Sequence, residues 1–411
     1  MFIIETMKLD TLNSTDNIFL ILKGAASKML TNTDLIELTE FRQKLHRHPE
    51  LSGEEVETAR TIISALKLIS PTKIVTKIGG HGVAAIFDSG ISGPTVLFRA
   101  ELDALPIDER NNIDWSSLIA GKSHACGHDG HMTILLALGR MIARKPIAKG
   151  RVILMFQPSE ETGNGAKAIV ADPKYSEIQA DWAFAIHVKP GSPFGYVATC
   201  PGLINCASLG LKIKLKGKTA HAANPEDGTP PTQAIAKLIT ALEALGPGGE
   251  FNDNFQLTTI THIQIGEPTF GVAPSDGIIY ITIRAAKDEL IIKIEASARN
   301  LALLIAKEYG LKVEFVLSDV FSTSINNQDA YEVAVNAMNA IGVSNGNLGL
   351  PMKASEDFGV FGWSAKTAML CLGPGEKYPA LHNPNYDFPD SLIPIGSAIF
   401  ERITRDLLGT K

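Results

Sequence analysis

The segment Arg151–Gln157 places a nearly continuous run of apolar side chains in the first half of the chain. A strand that lacks polar alternation is covered on both faces, as strands are when helices flank a sheet. Two short β-branched segments bounded by Gly and Pro, 83–87 and 95–99, precede it, and another apolar segment, 181–186, follows it. The pattern predicts an α/β fold with a buried central sheet.

Polar side chains follow the ends of three of these predicted strands. They are Asp103, Glu160, Glu161 and His187. Ligands of open α/β sheets bind beyond the carboxyl ends of the strands, so these side chains are expected to meet. On a solvated loop, the adjacent glutamates would be an ordinary polar pair. Beside a metal ion, one carboxylate can ligate while its neighbour acts as a general base on a bound water.

The segment 124–131, HACGHDGH, is rich in metal-binding and turn-forming residues, and an apolar run follows it directly. Cys126 and His128 cannot share a helical face, but in an extended or turning segment both converge on one centre. A thiolate with an imidazole suits Zn, Mn, Co or Ni better than Mg or Ca. An isolated pair of this kind is more often a buried Cys beside loop histidines, whereas the strand-end carboxylates favour a metal site. For His124 and His131 we expect a loop or packing role.

Composition excludes several classes of protein. A chain of 411 residues exceeds the usual limit for one core, which predicts two domains, and one of them can be inserted into the other. A net charge of -6 without a basic stripe argues against nucleic-acid binding. The apolar segment 18–22 is too short to span a membrane and lacks the features of a signal peptide, and four cysteines do not form a disulfide framework. We expect a cytoplasmic protein with no membrane partner.

Helical spacing of apolar residues begins at Asp34 and ends near Pro49, and a second helix is predicted over 54–68. His46 and His48 are expected to have structural roles near the end of the first helix.

The pattern of apolar and polar residues changes near residue 209. Segment 209–217 alternates apolar and basic residues, as a half-exposed strand does. The segments that follow complete a β-α-β-β-α-β module: a helix over 231–245, strands over 258–265 and 277–284, a helix over 290–309 and a strand over 312–317. The predicted organisation is an N-terminal extension over 1–33, a catalytic domain over 34–206 and 319–411, and an inserted domain over 207–318.

Six motifs together resemble those of a known family. They are RAELDALP at 99–106, HACGHDGH at 124–131, FQPSEE at 156–161, GKTAHA at 217–222, SEDF at 355–358 and LH at 381–382. Their order is that of the aminoacylase-like metallopeptidases, and the chain resembles the amidohydrolase branch, which includes IAA-amino acid hydrolases, hippurate hydrolases and N-acetyl-diaminopimelate deacetylases. The resemblance implies a zinc-peptidase-like catalytic domain with a mostly parallel sheet, and an inserted ferredoxin-like α+β lid or dimerisation domain.

The resemblance also implies roles for particular residues. The positions that match metal ligands are Cys126, His128, Glu161, His187 and His382, enough for two divalent ions, Mn or Zn, with Co or Ni as alternatives. Glu160 matches the general base, and Asp103 a carboxylate that orients a metal-bound imidazole. His221 matches a histidine that stabilises the oxyanion in the neighbouring subunit's active site, which implies a homodimer formed through the inserted domain. Arg284 matches a residue associated with the substrate carboxylate.

The implied activity is hydrolysis of the amide bond of N-acyl amino acids by water that the metal activates. A metallo-dipeptidase or carboxypeptidase would use the same centre with a pocket for a free α-amine. A non-catalytic metal-binding scaffold would have lost the base, whereas Glu160 is present.

The chain departs from the family pattern at three places. Gly271-Val272-Ala273-Pro274 stands where the family usually has Asn-Val-Ile-Pro, so an amide that helps to hold the substrate is missing. This leaves the identity of the substrate open. Ser159 replaces the usual Ala and Glu101 the usual Asp, and neither change removes a proposed ligand or base.

Overall fold

The computed structural model describes residues 29–411. The predicted extension over 1–33 lies outside the described residues except for its last part, as does the apolar segment 18–22. The first helix begins at Asn32, where the Thr31 hydroxyl accepts a hydrogen bond from the Asp34 amide and the Asp34 carboxylate accepts one from the Thr31 amide. Among the described residues there is no helix long and apolar enough to cross a bilayer.

The helices alternate with strands along most of the chain. They are α1 Asn32–Arg47, α2 Val56–Leu68, α3 His128–Arg144, α4 Gly165–Ala171, α5 Tyr175–Ile178, α6 Thr232–Glu243, α7 Asp288–Glu308, α8 Gln328–Ile341 and α9 Ile393–Leu408.

The strands are β1 Lys73–Ile78, β2 Gly82–Asp88, β3 Thr95–Glu101, β4 Arg151–Gln157, β5 Trp182–Val188, β6 Val197–Ala198, β7 Gly202–Asn205, β8 Ala207–Lys216, β9 Ala220–His221, β10 Gln256–Ile265, β11 Val272–Ala273, β12 Asp276–Ala285, β13 Lys312–Phe321, β14 Ser324–Asn326, β15 Asn345–Gly346 and β16 Lys366–Leu372.

An eight-stranded sheet runs in the order β1-β2-β4-β3-β5-β16-β6-β15. Its central strands β4, β3, β5 and β16 are parallel to one another, and β1 and β2 extend it in antiparallel fashion. Side chains of β4 alternate between two buried apolar clusters, with Val152 and Leu154 in one and Ile153 and Met155 in the other. This alternation explains the unbroken apolar run, because both faces of the strand are covered. The predicted α/β class with a mostly parallel sheet is confirmed.

A second sheet, in the order β10-β12-β8-β13, is antiparallel throughout. Helices α6 and α7 cover one of its faces, and its elements follow one another in the predicted β-α-β-β-α-β order. On β8 the apolar residues at alternate positions, among them Leu211 and Ile213, are buried, whereas Lys212 and Lys214 are partly exposed. The uncovered face of this sheet turns toward the ends of the central strands and forms one wall of a cavity.

Several elements differ from the sequence predictions, three of them as follows. His187 lies inside β5 rather than just after it, because the strand continues to Val188. Strand β13 extends to Phe321, beyond its predicted end at residue 317. Helix α9, which packs on α3 and α8, was not predicted at all.

Candidate metal centre

A tight turn at Gly127 separates Cys126 from His128. Gly127 has a left-handed backbone with φ 84° and caps α3, so that Cys126 precedes the helix and His128 is its first residue. A Cβ atom at this position would lie 2.8 Å from Val188 Cγ2 and 3.0 Å from the Tyr386 hydroxyl. Only glycine fits such a turn without displacing its neighbours, which explains how a Cys and a His two residues apart reach one centre.

The side chains predicted as ligands lie close together. Cys126 Sγ is 3.5 Å from His187 Nε2. The Glu161 carboxylate is 3.8 Å from His128 Nε2 and 3.6 Å from His382 Nε2. His382 comes from the loop after β16, where its backbone has φ 63° and its amide donates to the Ala125 carbonyl 2.9 Å away. Four separate segments of the chain therefore supply these five side chains.

Hydrogen bonds orient two of the imidazole rings. His128 Nδ1 donates to the Asp103 carbonyl, and His187 Nδ1 donates to the Val188 carbonyl. The donor–acceptor distance is 2.8 Å in both hydrogen bonds. Each ring thereby presents its Nε2 lone pair to the cluster. The Asp103 carboxylate accepts hydrogen bonds from the Ser52 hydroxyl at 2.7 Å and the Glu161 amide at 3.0 Å. Asp103 thus contacts the segments that carry two of the clustered side chains, as carboxylates around metal ligands do.

The chemistry of these groups fits a cation. His128 Nε2, Glu161 Oε1 and Asp103 Oδ1 are buried and have no hydrogen-bond partner within residues 29–411. Burial raises the pKa of Glu161 to about 7 and, together with the charges of Glu161 and Glu160, holds the pKa of the Cys126 thiol well above its usual range. The unpartnered lone pairs of His128 and Glu161 can ligate a divalent ion, and the ion would also neutralise the clustered, desolvated carboxylates. The residues therefore fit a metal centre.

Glu160 is buried beside this cluster, and one of its oxygens is 3.9 Å from His128 Nε2. Burial raises its pKa well above the usual range, and the charges of Glu356, Glu161 and Asp357 act in the same direction. Glu160 also borders the cavity. A carboxyl with a raised pKa at the edge of a ligand site is suited to exchange protons near neutral pH.

A buried arginine neutralises the carboxylates of Glu356 and Asp357, which lie next to Glu160. Arg99 is fully buried in β3 and pairs with Glu101, with Glu356 at 2.8 Å and with Asp357 at 2.7 Å. Its Nε donates to the Gln157 side chain at 2.9 Å. One guanidinium thus neutralises several carboxylates that would otherwise repel one another in a region with little water.

We expect Arg99→Met to destabilise the fold by about 3–5 kcal/mol, because it would leave buried carboxylates without their cation. Denaturant unfolding measures this, with Arg60→Met at an exposed arginine as the control. A loss no larger than that of the control would show that the network is dispensable for folding.

The other histidines near the centre take structural positions. His131 lies within α3 rather than in a loop, where Nδ1 is 2.8 Å from Glu101 and Nε2 accepts from the Val188 amide at 3.1 Å. His46 is buried near the end of α1, with Nδ1 2.8 Å from Asp129. His48 Nδ1 is 3.0 Å from the Lys44 carbonyl at the end of the same helix. His124 is buried, and neither ring nitrogen has a partner among the described residues.

A cavity of about 510 Å³ separates the cluster from the uncovered face of the second sheet. Arg284 lines the sheet side, and its Nη1 donates to the Lys353 carbonyl at 3.0 Å and the Ser355 hydroxyl at 2.9 Å. His221 is absent from the lining and is exposed on β9, which pairs with β11. The structure therefore brings Arg284, but not His221, to the cavity of its own chain.

Sequence reasoning missed several residues of the cavity wall. Ser208 and Thr282 lie on the uncovered face of the second sheet, and Asp319 lies in an irregular part of β13. Alternation along β8 and β12 carried a signal for the first two, because they share a face with Arg284. Glu356 also lines the cavity, within the SEDF motif.

Comparisons with known proteins agree with this site. A hippurate hydrolase of Campylobacter jejuni subsp. jejuni is 29% identical over 369 residues, covering 89% of this chain and 95% of that protein. An N-acetyl-L-cysteine deacetylase of Bacillus subtilis is 33% identical over 282 residues, covering 67% of this chain and 66% of that protein. The crystal structure of Bacillus subtilis YXEP, described as a dinuclear metal binding peptidase from the M20 family, superposes with a TM-score of 0.76 at 25% identity and covers 92% of this chain and 99% of that one.

A sequence profile of Peptidase family M20/M25/M40 matches residues 97–406, a span that contains the cluster, the cavity and the second sheet. The match, the relatives and the buried group of metal-binding side chains agree with one another. The chain belongs to Peptidase family M20/M25/M40 and is a metal-dependent amidohydrolase of that family.

Proposed function

We propose that the enzyme hydrolyses N-acyl amino acids, with acetyl or aryl acyl groups, to a carboxylate and a free amino acid. The proposal rests on one observation: a single cavity has different chemical groups on its two opposite walls. The metal-binding cluster and Glu160 form one wall. Arg284, which makes no ion pair among the described residues, lies in the other. An N-acyl amino acid has an amide for the first wall and an α-carboxylate for the second.

The proposed metal ligands are Cys126, His128, Glu161, His187 and His382. Five side chains with soft and borderline donors suit two ions of Mn or Zn better than Mg or Ca. When bound, divalent ions supply Lewis acidity and lower the pKa of water, which makes a nucleophile available at neutral pH.

The remaining steps belong to side chains of this protein. Glu160 takes a proton from the attacking water and delivers it to the leaving amine, a role that its buried position and raised pKa support. Asp103 acts as a positioning residue through its contacts with His128 and the Glu161 amide. Arg284 holds the substrate carboxylate through the guanidinium nitrogens that Lys353 and Ser355 leave free.

His221 is proposed to act in a second subunit. It is exposed and does not line its own cavity, although the chemistry needs a donor for the developing oxyanion. We propose that residues 207–318 form a lid and dimerisation domain that presents His221 to the partner's cavity in a two-fold dimer. Gly271, where the expected amide is missing, directly precedes β11, the partner strand of β9, and a Cβ atom there would meet no atom within 4 Å. No side chain of this residue can therefore hold a substrate beside His221.

The proposal is tested by turnover of matched amides. Metal is first removed from the protein with a chelator, and the protein is then reloaded with Mn, Zn, Co or Ni. The substrates are N-acetylnorleucine, hippurate and the dipeptide glycylnorleucine. Metal-dependent hydrolysis of an N-acyl amino acid is the expected result. Hydrolysis of the dipeptide alone would replace the proposal with a dipeptidase, and hydrolysis of neither class would refute it.

A further inference from the structure

Strand β13 contains a bulge that points a carboxylate into the cavity. Ser318 pairs with Gly210 and Phe321 with Ser208, so β13 contains one residue more than β8 between the two pairs. Asp319 lies in this bulge with φ 50° and lines the cavity. Bulges re-aim side chains and occur often beside active sites. Aspartate is one of the few residues other than glycine that tolerate this backbone region.

The bulge is held against the part of the chain that carries Glu160 and Glu161. Lys167 Nζ donates to the Val320 carbonyl at 2.7 Å. Gly163 approaches so closely that a Cβ atom there would lie 2.9 Å from the same carbonyl and 3.1 Å from the Phe321 ring. These contacts fix the position of Asp319 relative to the metal-binding wall. The Lys167 ammonium binds the Val320 carbonyl and makes no ion pair with Asp319 among the described residues.

Asp319 has no partner among the described residues. Across residues 29–411 its carboxylate makes no hydrogen bond or ion pair, and although it is exposed at the rim, the surrounding protein raises its pKa. The other carboxylates of the cavity wall are already engaged. Glu160 and Glu161 belong to the metal cluster, and Glu356 pairs with Arg99. Asp319 is therefore the carboxylate of the described wall that a ligand can use.

Arg284 and Asp319 lie on either side of β8 on the same face of the sheet. Arg284 on β12 pairs with Ser208, which pairs in turn with Phe321 on β13. Neighbouring strands lie about 4.8 Å apart, so β12 and β13, with β8 between them, are separated by roughly 10 Å. Ser208 lies between them on β8 and also lines the cavity. The wall thus offers an unpaired cation and an unpaired anion to one ligand.

We infer that the substrate carries an ammonium group in addition to its carboxylate, and that Asp319 binds this ammonium. The inference rests on the proposed function, in which Arg284 binds the carboxylate. Within the proposed substrate class the ammonium comes from the side chain of the amino acid, whereas a free amine on the acyl group would belong to the dipeptides of the alternative activity. Either source places a positive charge where the cavity has an uncompensated negative one.

The test compares three substrates of the metal-loaded enzyme. Nα-acetyllysine has the side-chain ammonium, glycylnorleucine has the acyl-side ammonium, and N-acetylnorleucine has neither. The variant is Asp319→Asn, which keeps the side-chain shape and tolerates positive φ. Its control is Glu314→Gln, an exposed charge on the same strand outside the cavity.

We expect Asp319→Asn to lower kcat/KM roughly fivefold for one of the ammonium substrates, with a clearly smaller change for N-acetylnorleucine, as for an ion pair at a partly exposed rim. The substrate that responds identifies the source of the ammonium. Equal changes for all three substrates, or no change beyond that of Glu314→Gln, would overturn the inference while the proposed function stands. Turnover of no substrate by the wild type would refute the proposed function, and the inference with it.

Discussion

Replacing Glu160 with Gln is expected to lower kcat by about 10²–10⁴-fold while the protein keeps its metal, because removal of a general base has an effect of this size. The amide fits the buried site of the carboxyl and accepts no proton from water. Steady-state hydrolysis of N-acetylnorleucine and elemental analysis of the same sample measure both quantities.

The neighbouring glutamate provides the matched control. Glu161→Gln is expected to lose metal as well as activity, because the Glu161 carboxylate lies near both His128 and His382, at 3.8 and 3.6 Å. If Glu160→Gln loses the metal and Glu161→Gln keeps it, the two roles are exchanged.

Subunit exchange is expected to restore activity to a mixture of two inactive variants. Glu160→Gln lacks the base, and His221→Ala lacks the proposed oxyanion donor, whose loss costs about 10²–10³-fold in kcat. A heterodimer of the two holds one site with both residues and one with neither, provided that His221 acts across the interface. Activity per heterodimer should therefore return to about half that of the wild type.

The control for this experiment mixes each variant with differently tagged copies of itself, so that exchange is verified without complementation. Verified exchange without recovery would mean that His221 serves its own chain or no active site. In the second case His221 would only stabilise its own turn, where its Nδ1 accepts a hydrogen bond from the Ala223 amide at 3.0 Å.

Elements with a complete local pattern were predictable from the sequence. The run Arg151–Gln157 is a strand over the predicted residues, because uninterrupted burial on both faces leaves a clear signal. The alternation in β8 indicated a sheet with one uncovered face, and the order of elements around it followed from periodicity. The resemblance supplied what periodicity lacks, namely which distant segments belong to one site.

Other elements had weak signals or signals that were missed. The two-residue strands β6 and β15 are too short for any period to appear. Helix α9 had a usable pattern, with apolar residues at 395, 399 and 403 and a proline in its first turn.

The cavity wall depended on long-range packing. Asp319 faces the cavity because of a register shift between β13 and β8, and such a shift leaves no local mark in the sequence. Glu356 is engaged by Arg99, which is far away in the chain. Single residues at strand ends were therefore easier to predict than the partners that bind or neutralise them.

Metal bound per chain, measured by equilibrium dialysis and elemental analysis for the wild type and Cys126→Ser, tests the central claim most directly. The serine hydroxyl is not ionised at neutral pH, so it replaces a thiolate ligand with a much weaker one. We predict two ions of Mn or Zn per wild-type chain and a clear loss from the variant, with hydrolysis falling in parallel. A wild-type protein that binds no divalent metal, or a variant with unchanged metal content and activity, would contradict the assignment of this site.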